Sequence, residues 1–206
     1  MSSADKSLRR GDLAPDPVEQ FARWFAEAEA DPAIVFAEAV CLSTLGPGGT
    51  PEGRMVLLKH FDARGFVFYT NLESAKSHSL AEHPRAGMTF HWQPHGRQVR
   101  LRGPVEPVSE HAADAYFASR PRRSRIGAWA SDQSRELESR AALEDRVKEL
   151  EDRFAGGDVP RPPNWSGFRI VPDAIEFWQE GEARLHDRFL YAREGAGGWV
   201  RRRLHP

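Results

Sequence analysis

Between Ile34 and Arg102 the chain runs as short apolar segments, each closed by a turn signal, and this cadence leaves few folds open. Residues 39–44 end at Gly46-Pro47-Gly48-Gly49, and residues 54–61 end in a turn over residues 62–65. Residues 66–70, 87–92 and 98–102 follow. Short strands joined by tight turns pair antiparallel, and a run of this many closes, or nearly closes, into a barrel. Two further strands are expected at 167–170 with 174–178 and at 184–191, with an edge strand at 199–204.

Helices interrupt the sheet. Asp16 caps one whose first position is Pro17, with Glu19 three residues after the cap and Val18, Phe21, Trp24, Phe25 and Ala28 on one face. Residues 74–82 and 109–119 read as short helices. Residues 134–154 read as a longer one, with Leu137, Ala141, Val147, Leu150 and Phe154 at helical spacing, followed by a loop over 156–163. Residues 1–15 lack periodic apolar positions and read as a mobile arm, leaving residues 16–206 as one domain. The expected class is α+β with an antiparallel barrel and flanking helices.

A formal net charge of −1 argues against a general polyanion binder, so no nucleic-acid partner is expected. The single cysteine, Cys41, allows no intramolecular disulfide framework and fits a reducing compartment. No apolar run approaches the roughly 18 residues of a membrane span, and the polar stretch 1–11 does not read as a secretory signal, so a cytoplasmic location without a membrane partner is expected. His78, His83, His91, His95 and His111 show no paired ligand spacing, so no metal is expected.

Five stretches carry chemistry. Arg54-Met55-Val56-Leu57-Leu58-Lys59 places a cation at each end of an apolar strand, on opposite faces unless a bulge intervenes. Tyr69-Thr70-Asn71-Leu72-Glu73-Ser74-Ala75-Lys76 feeds a strand into a helix N-terminus and offers hydroxyls, backbone N–H groups and an ammonium, the ingredients of a phosphate cradle. In Gln98-Val99-Arg100-Leu101-Arg102 the alternation puts Gln98, Arg100 and Arg102 on one face, where the glutamine can serve a heterocycle edge. Tyr116 and Arg120 are neighbours on a helix, with Ser124 just past Pro121. They make a second phosphate site in which the guanidinium must overcome an unfavourable helix dipole, and Gln133-Ser134 adds donors at the start of the long helix. An extended strand through Arg184-Leu185-His186-Asp187-Arg188 would stack Arg184, His186 and Arg188 on one face, a concentration of cations that calls for an anion or an electron-rich ligand opposite. Neither a P-loop, a dinucleotide fingerprint nor a G-x-S-x-G elbow is present.

In this order, these stretches, together with Phe68-Tyr69-Thr70-Asn71, Arg97-Gln98-Val99, Tyr116-Phe117, Arg120-Pro121, Ile126-Gly127-Ala128-Trp129, Gln133-Ser134 and Glu176-Phe177-Trp178-Gln179, resemble the pyridoxamine 5'-phosphate oxidase family from about residue 16 to 206. The resemblance implies an FMN-binding split barrel and a homodimer with flavin sites at the subunit interface. It also implies oxidation of pyridoxamine or pyridoxine 5'-phosphate to pyridoxal 5'-phosphate by O₂. It assigns FMN contacts to Arg54, Met55, Val56, Leu57, Leu58, Lys59, Tyr69, Thr70, Lys76, Gln98, Gln133, Ser134, Trp178 and Arg188. The substrate phosphate falls to Lys59, Tyr116, Arg120 and Ser124. Arg184 and His186, with Leu185 between them, fall at the substrate ring. Three positions depart from the family pattern: Ala75 stands where an arginine is usual, Glu180 where a glycine is common, and Leu8-Arg9-Arg10 only partly matches the arm segment that covers the substrate. These departures keep two alternatives in view, a phenazine-biosynthesis type of flavin oxidase on the same fold and a noncatalytic flavin or pyridoxal-phosphate carrier.

Overall fold

The computed structural model describes residues 7–195 and 198–206. Within them five α-helices surround an antiparallel sheet of ten strands. The strands are β1 (Ala39–Leu45), β2 (Pro51–Leu57), β3 (His60–Asp62), β4 (Gly65–Asn71), β5 (Arg85–Trp92), β6 (Arg97–Pro107), β7 (Trp165–Ile170), β8 (Ala174–Gln179), β9 (Asp187–Glu194) and β10 (Gly198–Leu204). The helices are α1 (Pro17–Ala30), α2 (Ala75–Glu82), α3 (Glu110–Ser119), α4 (Arg122–Ala130) and α5 (Arg140–Arg153).

The path β10-β9-β8-β6-β5-β1-β2 forms one curved wall, and β3, β4 and β7 form the other. The long strand β6 joins them. Residues 97–102 pair with β8, and residues 105–107 turn onto β7. The result is a split antiparallel barrel with flanking helices, the class the sequence implies.

Helix α1 plugs this barrel. The Asp16 carboxylate caps it by accepting from the Val18 and Glu19 N–H groups. Phe21, fully buried, sits at the centre of a ring cluster with Phe61 and Phe66 (edge-on, 4.9 Å each) and Phe90 (5.0 Å). Truncating such a side chain to alanine costs about 3–5 kcal/mol, so Phe21 alone decides much of the fold's stability.

The structure departs from sequence expectation at several places. The arm expected over residues 1–15 is docked where it is described. Leu8, Leu13 and Ala14 are buried, the Leu8 N–H donates to Asp187 (2.8 Å), and the Tyr191 hydroxyl donates to the Ala14 carbonyl (2.6 Å). Three isolated apolar residues without helical or strand period suffice here because an existing sheet supplies the surface; residues 1–6 lie outside the described residues. The strand expected at 54–61 is two strands. The Leu58 N–H donates to the Glu38 carbonyl and the Lys59 N–H to Val67, so Lys59 leaves the strand direction altogether.

The long helix expected from Ser134 starts only at Arg140. Ser134 has φ 72°, and Ser139 is the cap, its hydroxyl accepting from the Ala142 N–H. The physical reason lies in packing. Leu143, Val147, Leu150 and Phe154 pack with Ile126, Ala130 and Val159, whereas Leu137 is exposed and gives the first turns nothing to bury. Helix α4 is absent from the sequence expectation.

Finally, the strand expected from Arg184 begins at Asp187. Residues 182–184 form a tight 3-10 turn with Ala183 at φ 51° and Arg184 at φ 64°. The turn closes so tightly that a Cβ at Gly181 would lie 2.1 Å from the Leu185 carbonyl oxygen. Arg184, His186 and Arg188 therefore do not share one strand face.

Candidate functional site

A cavity of about 630 Å³ opens between β2, the end of β4, and helices α2, α3 and α4, a size typical of small-molecule sites. Met55, Val56 and Leu57 give it an apolar wall, and Tyr69, Thr70, Lys76, Gln133, Lys59, Tyr116, Arg120 and Ser124 bring polar groups. Three cations line it, and no Asp or Glu among the described residues does.

The first cationic centre is Lys76. Strand β4 ends at Asn71, whose carbonyl accepts from the Ser74 and Ser77 hydroxyls and whose side-chain oxygen accepts from the Glu73 N–H. These bonds turn the chain sharply into α2. That turn aims Lys76 inward, where its ammonium donates to Thr70 Oγ1 (3.0 Å), Ser74 Oγ (2.9 Å) and Gln133 Oε1 (2.7 Å). Burial, with a smaller push from the nearby Arg54 guanidinium, pulls its pKa from 10.5 down to about 8. A buried ammonium whose partners are all neutral is a ready anion site.

The second centre is Arg120, at the end of α3. Its Nη1 is buried without a hydrogen-bond partner, and burial draws the pKa of the guanidinium below its ordinary value. Tyr116, one turn before it, stacks on Tyr69 (ring centres 4.1 Å apart), and burial raises both phenols. Ser124 lies in the first turn of α4, where the Ser124 N–H donates to the Pro121 carbonyl. The adverse end of the α3 dipole expected at Arg120 is present, and α4, which begins beside it, offsets that end by directing its positive end to the same wall.

The structure thus brings Met55, Val56, Leu57, Lys59, Tyr69, Thr70, Lys76, Tyr116, Arg120, Ser124 and Gln133 around one cavity. Gln133 reaches it from a loop, not from a helix start, and Ser134 faces solvent. Leu58 is buried in the core, and Arg54 donates to Glu52 and Thr44. Asn71, Pro121, Gly127 and Ala128, which the sequence offers only as motif residues without an assigned contact, also line the cavity, as do Ser131 and Trp165, which it does not single out. The i, i+4 pair Ile126 and Ala130, both buried, is the signal that could have revealed α4 and its contribution.

The remaining candidates form a second cluster. Gln98, Trp178 and Arg188 lie side by side across β6, β8 and β9. The His186 ring packs on Trp178 at 4.6 Å, and its Nδ1 accepts from the Gly181 N–H (3.2 Å). Arg188 and Arg100 both donate to the buried Glu176 carboxylate (3.0 and 2.6 Å). Burial alone would raise that carboxyl, but the two guanidinium groups hold it below its ordinary value. Arg184 and Leu185 sit on the adjoining tight turn, and Leu185 is exposed. None of these residues lines the cavity.

Known proteins match along the whole length. A family model described as pyridoxamine 5'-phosphate oxidase matches residues 26–154, and one described as the pyridoxine 5'-phosphate oxidase C-terminal dimerisation region matches residues 165–206. The pyridoxine/pyridoxamine 5'-phosphate oxidase of Myxococcus xanthus is 53% identical over 199 residues, covering 97% of this chain and 96% of the relative. That of Caulobacter vibrioides is 55% identical over 195 residues, covering 93% and 85%.

Among solved structures, PhzG from Burkholderia lata, crystallised with tetrahydrophenazine-1-carboxylic acid, superposes with a TM-score of 0.90 at 31% identity over 100% of both chains. An FMN-binding protein of Nostoc punctiforme, related to pyridoxamine 5'-phosphate oxidase, shares the fold with a TM-score of 0.72 at 19% identity, over 98% of this chain and 100% of its own. A split barrel with two anion-seeking centres, matched by both family models and sharing about half its residues with these oxidases, belongs to the pyridoxamine 5'-phosphate oxidase family.

Proposed function

We propose that this chain is an FMN-dependent oxidase that converts pyridoxamine 5'-phosphate or pyridoxine 5'-phosphate to pyridoxal 5'-phosphate with O₂ as the electron acceptor. One observation carries the reading. The cavity holds two cationic centres, the buried Lys76 and the half-buried Arg120, and no carboxylate among the described residues that line it, which suits two phosphate monoesters, one from the cofactor and one from the substrate. The names of the relatives support the same assignment.

The residues present fit FMN. Lys76, Thr70 and Gln133 would hold its phosphate, and Met55, Val56 and Leu57 offer an apolar wall for its ring system. When bound, FMN supplies a hydride acceptor that O₂ can restore. Lys59, Tyr116, Arg120 and Ser124 would grip the substrate phosphate. Because this phosphate lies remote from the reacting carbon, its binding energy can serve to orient the other end of the molecule.

Arg184 and His186 would hold the substrate ring, and Gln98, Trp178 and Arg188 would complete the flavin's surroundings. They lie outside the cavity of their own chain, so in this reading they complete the cavity of a second copy in a homodimer. The match of residues 165–206 to a dimerisation region supports this arrangement. The likeness to PhzG favours a second reading, a flavin oxidase acting on a phenazine precursor. The grouping of Lys59, Tyr116, Arg120 and Ser124 argues for the phosphorylated vitamer, since a substrate without phosphate would leave that cluster unpaired.

The test is pyridoxal 5'-phosphate formation by the FMN-loaded protein in aerated buffer, with either phosphorylated vitamer. Turnover of one or both is expected. An FMN-loaded protein that oxidises neither would refute the reading and transfer the case to the phenazine-type substrate.

A further inference from the structure

Arg120 is held by aromatic faces and not by a counter-ion. Its guanidinium carbon lies 4.9 Å from the centre of the Trp165 ring and 5.5 Å from that of Phe117. Its Nη1 is buried and unpartnered, and among the described residues no carboxylate pairs with it. A carboxylate would also orient the guanidinium, but it would consume the N–H donors and the charge. An aromatic face orients the plane and leaves both available.

Trp165 is itself well fixed. It is 6% exposed, lies nearly parallel to Tyr69 (5.4 Å, 4°) and meets Phe117 edge-on at 4.9 Å. Its carbonyl accepts from Arg161 Nη1 (2.6 Å), and the same guanidinium donates to Asp114 (2.6 Å) and Glu110 of α3. Arg161 thus staples the start of β7 to the helix that presents Tyr116 and Arg120. The Tyr69 ring on which it stacks has room because Gly167 sits opposite Tyr69, where a Cβ would lie 2.6 Å from that ring.

We propose that Trp165 is a positioning residue of the substrate-phosphate site. Its indole face holds the Arg120 guanidinium toward the cavity in place of a carboxylate, so that the full charge is kept for the phosphate ester. The inference rests on the reading of Lys59, Tyr116, Arg120 and Ser124 as that site.

The test compares the FMN-loaded wild type with Trp165→Leu and Trp165→Phe. In Trp165→Leu, KM for pyridoxine 5'-phosphate is expected to rise about tenfold, the scale of one desolvated cation–π contact. Competitive inhibition by inorganic phosphate weakens by the same factor, while the loss spares kcat and FMN affinity. Trp165→Phe, which keeps a smaller π face, falls between. An unchanged KM and phosphate inhibition constant in Trp165→Leu, or a loss spread equally over KM, kcat and FMN affinity, overturns the proposal.

Failure of the parent reading has a different signature, a wild type that turns over neither vitamer. Calorimetric titration of wild type and Trp165→Leu with inorganic phosphate still decides in that event. Equal affinities overturn the role of Trp165, and a gap of about tenfold upholds it.

Discussion

Lys76 should weaken the protein that it equips to bind. The residue is 9% exposed, its ammonium sits among neutral oxygens, and its pKa is held from 10.5 down to about 8 by burial and by Arg54. At about 1.4 kcal/mol per pH unit, that displacement corresponds to at most ~3.5 kcal/mol of unfavourable free energy in the protein without bound anion. Part of this is offset by the three hydrogen bonds the ammonium makes. Their loss in Lys76→Met is softened because the Thr70 hydroxyl can donate to Gln133 Oε1 and the Ser74 hydroxyl to the Asn71 carbonyl. We therefore expect Lys76→Met to stabilise the flavin-free protein by about 1 kcal/mol in urea melts at pH 7.

Under the proposed function the same substitution removes a charge-assisted contact to the FMN phosphate worth about 1.5–3 kcal/mol, so FMN affinity, read by flavin fluorescence titration, should fall about 10- to 150-fold. The pH dependence gives the sign independently. Below about pH 8 the folded and unfolded chains both carry the Lys76 proton, and the full cost is present. As pH rises from about 8 toward 10, the folded Lys76 loses its proton while the unfolded one keeps it, so stability to unfolding must rise. That rise should vanish in Lys76→Met. A variant that is less stable without flavin and binds FMN as tightly as wild type would refute the reasoning.

Three further outcomes follow from the same structure. Arg184→Ala should lower kcat by about two orders of magnitude with little change in FMN affinity, since Arg184 lies away from the Lys76 centre; an unchanged kcat removes it from the reaction. Asp62→Asn should cost about 2 kcal/mol in thermal or urea unfolding, because the Asp62 carboxylate receives the buried Arg169 guanidinium (2.6 Å) as well as Arg64. Burial alone would raise the Asp62 carboxyl, but these partners hold it below 3.8. Its contribution is therefore complete above that pH and fades as pH falls below it, and the variant should flatten this acid limb. Gly167→Ala should destabilise by at least about 2 kcal/mol and perturb Tyr69 fluorescence, because its methyl would meet the Tyr69 ring at 2.6 Å and the Phe68 carbonyl oxygen at 2.8 Å. Melting temperatures equal to wild type would contradict it.

Much of the fold was legible because its signals are local. The Asp16 cap with Pro17, the glycine turn after β1 and the alternation in β6 each depend on neighbours a few residues away, and each element stands near where the pattern puts it. Expectations failed where the deciding contact is remote. The arm residues Leu8 and Leu13 need the face of β9 and β10, and residues 134–139 lack the partner that Val147 and Leu150 find in α4. Pro121 was read only as the stop of α3, although proline starts a helix as readily as it ends one. The alternation of Arg184, His186 and Arg188 was genuine as a pattern, but the tight turn over residues 182–184, which only a glycine at 181 lets close against Leu185, bends the backbone before the strand begins.

The candidate site was legible in chemistry and not in assembly. Counting cations and hydroxyls along the chain identifies two phosphate-seeking groups, and the structure places both on one cavity. The same counting cannot tell that Gln98, Trp178, His186 and Arg188 belong to a separate sheet face, because a motif string carries no information on which copy supplies which side chain. The cavity's own rim points to a second copy. Strand β2 ends the sheet path, and Met55 and Leu57 on it and Leu45 beside it are 65%, 40% and 42% exposed, an apolar edge next to charged pocket walls. Covering that edge with the cluster around Arg188 would remove apolar surface from water and bring the histidine and arginines to the two anion centres in one step. Under the proposed function, association and completion of the site are then one event, and dilution should weaken FMN binding together with the dimer.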